Sequence, residues 1–159
     1  MTEAEQEAFA ANAVRLTEFI RAKEKNTVVS MMQPELAVCD PKTFSLTLAF
    51  PGQPWECNPT GAIHGGMVSV MFDTAMGIAA YAYADELTPT ISLTTSYLRP
   101  APGEGTLHVH ATVTMAGRGI MYASAEMWEA QSPERIVATA QGVFRRLHGS
   151  EKNPLDKQK

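Results

Sequence analysis

From Met67 to Ala84 the chain runs for 18 residues with a single charged side chain, Asp73. A helix that is apolar on nearly every side is one enclosed by protein, so this stretch predicts a central buried helix ending near Tyr83. On either side of it the hydrophobic period shortens to two. Phe44, Leu46, Leu48 and Phe50 alternate on one face. Between Gly105 and Ala116, Leu107, Val109, Ala111, Val113 and Met115 alternate with His108, His110, Thr112 and Thr114. Such alternation predicts strands with one face buried. Residues 27–38 and 43–50 read as a hairpin about the turn Cys39-Asp40-Pro41-Lys42, and four strand segments follow Asp85. Residues 3–25 place Phe9, Val14, Leu16, Phe19 and Ile20 among Ala, Glu and Lys, a helix with an apolar stripe. Pro51 to Gly66 is rich in Pro, Gly and Asn, as a structured loop is. Strands on both sides of one long helix predict an α+β fold, an antiparallel sheet wrapped around that helix. The expected organisation is an N-terminal helix over 1–26, one domain over 27–148 and a polar tail over 149–159.

The central run is barely long enough to cross a bilayer. A carboxylate near the middle of a span would cost roughly 2.5–3.5 kcal/mol, which favours a protein core over a membrane.

With 159 residues the chain is sized for one domain. A formal charge of −4 provides no basic footprint, so nucleic acid is not an expected partner. Cys39 and Cys57 make neither a disulfide framework nor a Cys-x-x-Cys pair and are read as reduced thiols. The acidic start, MTEAEQEAFAANAVRL, lacks the positive segment and apolar core of an export signal. A cytoplasmic location is expected, without a membrane partner.

The chemistry concentrates at the start of the central helix. In an apolar surrounding Asp73 needs a hydrogen bond, a charge partner or a proton, and no basic residue lies within one helical turn of it. It can be a helix acid bonded to local backbone or facing a wet interface, or it can be a working group. Just upstream, His64-Gly65-Gly66 open the helix. Glycines there serve a tight loop, or allow a ligand close to first-turn N–H groups that lack intrahelical partners. Such a helix start can hold a carbonyl oxygen gaining negative charge. Gly65 and Asp73 are eight residues apart, roughly 12 Å along a helix axis, so one small group cannot touch both. If they serve one site, a two-fold dimer in which Gly65 of one chain faces Asp73 of the other is the natural solution.

These residues carry a family resemblance. The pattern Asn58-Pro59-x-Gly61-x-x-His64-Gly65-Gly66 followed by Asp73 resembles the PaaI-like branch of the hotdog-fold acyl-CoA thioesterases, within the 4-hydroxybenzoyl-CoA thioesterase superfamily. Thr90-Ile91-Ser92-Leu93-Thr94-Thr95-Ser96-Tyr97-Leu98-Arg99-Pro100-Ala101 is similar to that family's strand after the central helix, and Gly117-Arg118-Gly119 to its turn before the penultimate strand. The resemblance covers about residues 28–147. It implies a five- or six-stranded sheet, homodimers formed by joining sheets and often homotetramers, and hydrolysis of an acyl-CoA thioester without metal or other cofactor. It further implies that the Gly65 N–H polarises the thioester carbonyl while Asp73 of the partner acts as nucleophile or as general base. Asn58 and His64 would shape the loop and orient the acyl group or water, and Thr90 would hold water beside Asp73. Gly66, Arg99 and Arg118 would belong to substrate binding, the arginines through CoA phosphates. Where family members often carry Asp or Asn, Ser92 and Thr94 stand here. The N-terminal helix is also longer than the minimal domain.

Other readings are set against this one. His108 and His110 share a strand face but have no carboxylate or cysteine at supporting spacing, so no metal is expected. Met67, Met71, Met76, Met121 and Met127 suit an adaptable acyl pocket or simple core filling. No Gly-x-Ser-x-Gly elbow occurs, and Ser69 lies inside the helix. A hotdog hydratase or dehydratase, and a non-catalytic acyl-CoA-binding domain, are the alternative functions.

Overall fold

The computed structural model describes residues 2–22 and 27–147. The expected polar tail over 149–159 lies outside the described residues. The chain forms α1 (Glu3–Ala22), a short α2 (Val28–Met32), β1 (Glu35–Asp40), β2 (Ser45–Pro51), α3 (Gly65–Ala84), β3 (Thr90–Tyr97), β4 (Thr106–Ala116), β5 (Ile120–Glu129) and β6 (Ile136–Arg145). Six strands make one sheet in the order β1-β2-β4-β5-β6-β3, every neighbouring pair antiparallel.

The sheet curls around α3, which meets a span's length and apolarity but forms the core of this fold. Leu46, Leu48 and Phe50 from β2, Leu107, Val109 and Ala111 from β4, and Met121, Met127 and Phe144 from β5 and β6 are all buried against it. Met71, Phe72, Ala75, Met76 and Ala79 supply the helix side of that contact. Fully burying one such large side chain contributes roughly 1.5–3 kcal/mol, so this interface dominates the fold's stability.

Three details depart from the sequence expectation. Residues 28–32 are helical rather than extended, because Thr27 and Ser30 form a reciprocal capping box and Gln33 closes the turn at φ 50°. Local hydrogen bonds there outweigh the β preference of Val28 and Val29. Phe44 lies in the hairpin turn at φ 49°, outside β2. Its ring packs between Phe9, at 5.4 Å, and Tyr83, at 4.6 Å, tying α1 and α3 together. A bulge between Val113 and Met115 breaks the alternation of β4 and turns Met115 outward.

α1 packs along α3. Its buried positions are Phe9, Asn12, Ala13 and Thr17, while Val14 faces solvent. Asn12 Nδ2 donates to the Ala82 carbonyl at 3.3 Å, and Arg15 pairs with Asp85 at 2.7 Å.

Candidate active site

His64 is the N-cap of α3: its backbone is extended and its ring Nδ1 accepts the Gly66 N–H at 3.0 Å. The ring therefore serves the helix start directly. Neither Gly65 nor Gly66 has positive φ; both are glycine for closeness. A Cβ on Gly65 would come within 3.3 Å of the Tyr97 ring, and one on Gly66 within 3.2 Å of His64 Nδ1. The Gly65 N–H has no backbone acceptor among the described residues, as expected for a first-turn donor.

The preceding loop is held from within. Asn58 Oδ1 accepts from the Thr60 N–H at 2.9 Å and the Thr60 hydroxyl at 2.7 Å, while the Asn58 N–H donates to the Ala62 carbonyl. Gly61, at φ 83°, supplies the left-handed residue that this turn requires. Glu56 is 1% exposed; its Oε2 accepts the Gln53 N–H, and Oε1 has no partner among the described residues. Burial pushes its carboxyl above the usual range, with the Gln53 hydrogen bond opposing that rise. Its backbone carbonyl accepts the His64 N–H at 2.8 Å, so this buried acid anchors the approach to the helix.

Tyr97, at the end of β3, is the residue that the sequence reading missed. Its hydroxyl donates to the Gly65 carbonyl at 2.9 Å and lies 2.8 Å from the Ser69 hydroxyl. Its place in the strand beside Arg99 was visible, but its reach to the helix was not. Asn58, Gly65, Tyr97 and Arg99 line one cleft of about 420 Å³. Arg99 also donates to the Ile136 carbonyl, which fixes the guanidinium at the cleft's edge.

Two turns along α3, Asp73 is part-exposed, and its Oδ1 accepts the Thr90 hydroxyl at 2.7 Å. The acid thus meets the other end of β3 and has a direct side-chain partner in Thr90, the residue expected to hold water beside it. Arg118 lies in the β4–β5 turn at this same end, because Ile120 pairs with Arg145 and Thr90 with Phe144. Asn58, His64, Gly65, Gly66 and Arg99 thus gather at one end of β3, and Asp73, Thr90 and Arg118 at the other. Within one chain the glycine and the acid do not meet.

His108 and His110 have structural occupations. His108 meets Trp128 edge-on at 5.9 Å, and His110 Nδ1 bonds the Thr47 hydroxyl at 3.0 Å.

An antiparallel sheet around one long helix, with a glycine-led helix start and a lone acid two turns on, defines a hotdog fold. The sequence model of the thioesterase superfamily matches residues 60–136, just under half of the chain. A Pseudomonas aeruginosa protein provisionally named an esterase is 34% identical over 91 residues, 56% of this chain; the match spans 66% of that relative, just under two thirds of its length. The Escherichia coli PaaI protein of the phenylacetic acid degradation operon superposes with a TM-score of 0.74 at 18% identity, covering 87% of this chain and 96% of its own. A Streptococcus mutans protein solved with acetyl CoA bound has a TM-score of 0.65 at 15% identity, covering 72% of this chain and 88% of its own.

Proposed function

We propose that the protein hydrolyses an acyl-CoA thioester to the free acid and CoA at a site shared across a homodimer. The observation that carries this reading is the arrangement along β3. Among the described residues this strand bonds within the sheet only to β6 and its other edge has no partner strand, with Ile91, Tyr97 and Leu98 each 55% exposed. An unpaired edge is a template for strand pairing. When β3 pairs antiparallel with its own copy about a two-fold axis, the Tyr97 end of one chain lies beside the Thr90 end of the other. Gly65 of one protomer then approaches Asp73 of its partner, and the roughly 12 Å separation along one helix no longer matters.

The chemistry follows from that meeting. The Gly65 N–H, at the positive end of α3, receives the thioester oxygen as it gains charge; one such donor is worth about 10²–10³ in rate. Asp73 either takes a proton from the attacking water or attacks the carbonyl carbon itself, giving an acyl-enzyme anhydride that water then cleaves. Either route expels CoA as its thiolate, which is protonated on departure. Thr90 holds one Asp73 oxygen, leaving the other for reaction. Asn58 and His64 keep the loop and helix start in place, with Gly66 beside them. Arg99, and Arg118 from the other protomer, supply cations for CoA phosphates. The mechanism requires no metal or cofactor. A cytoplasmic setting and further pairing of dimers into tetramers belong to the same proposal; neither nucleic acid nor membrane is a partner.

Thiol release from a panel of aryl- and fatty-acyl-CoAs tests the reading. Asp73→Asn and Asp73→Ala are expected to lower kcat by about 10²–10⁴-fold with the fold intact by circular dichroism. Full activity in either variant overturns the mechanism. Hydration of an enoyl-CoA, assayed alongside, identifies the hydratase alternative, and tight acyl-CoA binding without turnover identifies the non-catalytic one.

A further inference from the structure

A second cleft, of about 510 Å³, opens on the Asp73 side of the molecule. It is bounded by Leu16 of α1, Gly77 and Tyr81 of α3, Leu87 and Pro89 of the segment before β3, and Leu147 after β6. Among the described residues no charged side chain lines it, and its volume falls in the range of roughly 300–1,000 Å³ usual for small-molecule pockets. Gly77 follows Asp73 by four residues on the same helix face, and Pro89 adjoins Thr90, which bonds Asp73. The cleft therefore opens about one helical turn from the acid, with Gly77 and Pro89 on the side nearest to it.

Gly77 separates this cleft from incidental surface relief. Glycine inside a helix is disfavoured relative to alanine, so its presence there calls for a reason. At Gly142, in strand β6, the reason for a glycine is packing, since a Cβ would meet Phe144 at 2.7 Å. Gly77 has no such constraint: the nearest side-chain atom to a Cβ there would be Phe144 Cε1 at 4.0 Å, and its φ is not positive. The missing side chain spares the cleft, not the protein.

We infer that this cleft receives the acyl group of the substrate, and that Gly77 determines which acyl groups fit: uncharged, apolar chains or rings longer than acetyl. The inference rests on the thioesterase reading with Asp73 at the reaction centre. It also gives the two clefts separate tasks. Across the paired β3 strands, the cleft containing Arg99 takes the CoA side of the thioester and the apolar cleft of the partner takes the acyl side. α1, through Leu16, becomes part of the pocket wall.

The test is the ratio of kcat/KM for decanoyl-CoA to that for acetyl-CoA, with benzoyl-CoA as the ring-bearing arm, in wild type, Gly77→Leu, Gly77→Ala and Leu87→Ala. Gly77→Leu is expected to lower the ratio at least tenfold, Gly77→Ala less so, and Leu87→Ala to raise it. Thermal melts establish that each variant folds; should Gly77→Leu not fold, the opposite shifts of Gly77→Ala and Leu87→Ala decide. A ratio unmoved by every folded variant, in an active enzyme, overturns the acyl pocket while leaving the thioesterase reading intact. Failure of the wild type on every thioester overturns that parent reading instead. Calorimetric binding of decanoate then judges the cleft alone: loss of binding in Gly77→Leu supports it, and equal binding in all variants overturns it.

Discussion

At the residue scale, the site depends on small groups that hold larger ones still. An acid that acts on a carbonyl loses efficiency when its orientation is free. The Thr90 hydroxyl supplies that restraint at 2.7 Å. Thr90→Val is expected to lower kcat/KM for a good substrate by about tenfold, whereas Thr90→Ser, which keeps the donor, stays near wild type; steady-state thiol release distinguishes them. Glu56 works in the opposite sense. Burial raises its carboxyl above the value it has in the unfolded chain, so the ionised form is the costly one. Its stabilising contribution is complete below the ordinary glutamate value of about 4.3 and is lost as pH rises through the raised folded value. Glu56→Gln removes this dependence: melting temperatures from pH 4 to pH 8 are expected to show the variant gaining on wild type as pH rises. A constant difference between the two across that range contradicts the assignment.

At the element scale, the parts legible in the sequence were those written in a long, regular period. The run from Met67 to Ala84 favoured a buried helix over a membrane span, and the alternation of Leu107, Val109, Ala111 and Val113 a half-buried strand, and both are found. What escaped was set by a few local or distant bonds. Thr27 and Ser30 turned a Val-Val stretch helical through two reciprocal local hydrogen bonds, against its β-branched composition. The β4 bulge moved Met115 across the sheet without any glycine to announce it. The site divides in the same way. His64, Gly65 and Asp73 announced themselves through spacing on one helix. Tyr97 reaches Gly65 and Ser69 of α3 from a strand remote in the chain, and the space beside Gly77 is bounded by α1 and the segments flanking β3 and β6, which no linear pattern records.

At the scale of the whole molecule, the proposed shared site turns on β3. Thr94 stands near the middle of this strand and is exposed. In a two-fold antiparallel pair the middle of one copy faces the middle of the other, so a charge there opposes its own image, which destabilises pairing. Thr94→Lys is expected to shift sedimentation from dimer or tetramer toward monomer and to remove thioester hydrolysis along with it. A monomer that retains full activity would refute the shared site. A further consequence concerns genetics. Proline suits the first helical position, so Gly65→Pro deletes the donor while keeping a helical start, with the Tyr97 ring giving way by a few tenths of an ångström to the new Cβ, and His64 already has the extended backbone that a residue before proline prefers. Gly65→Pro and Asp73→Asn should each be inactive alone. Mixed in one dimer, they place both lesions in the same site and leave its twin whole. Co-expressed in equal amounts with random pairing, the two dead alleles should complement one another to about a quarter of wild-type activity.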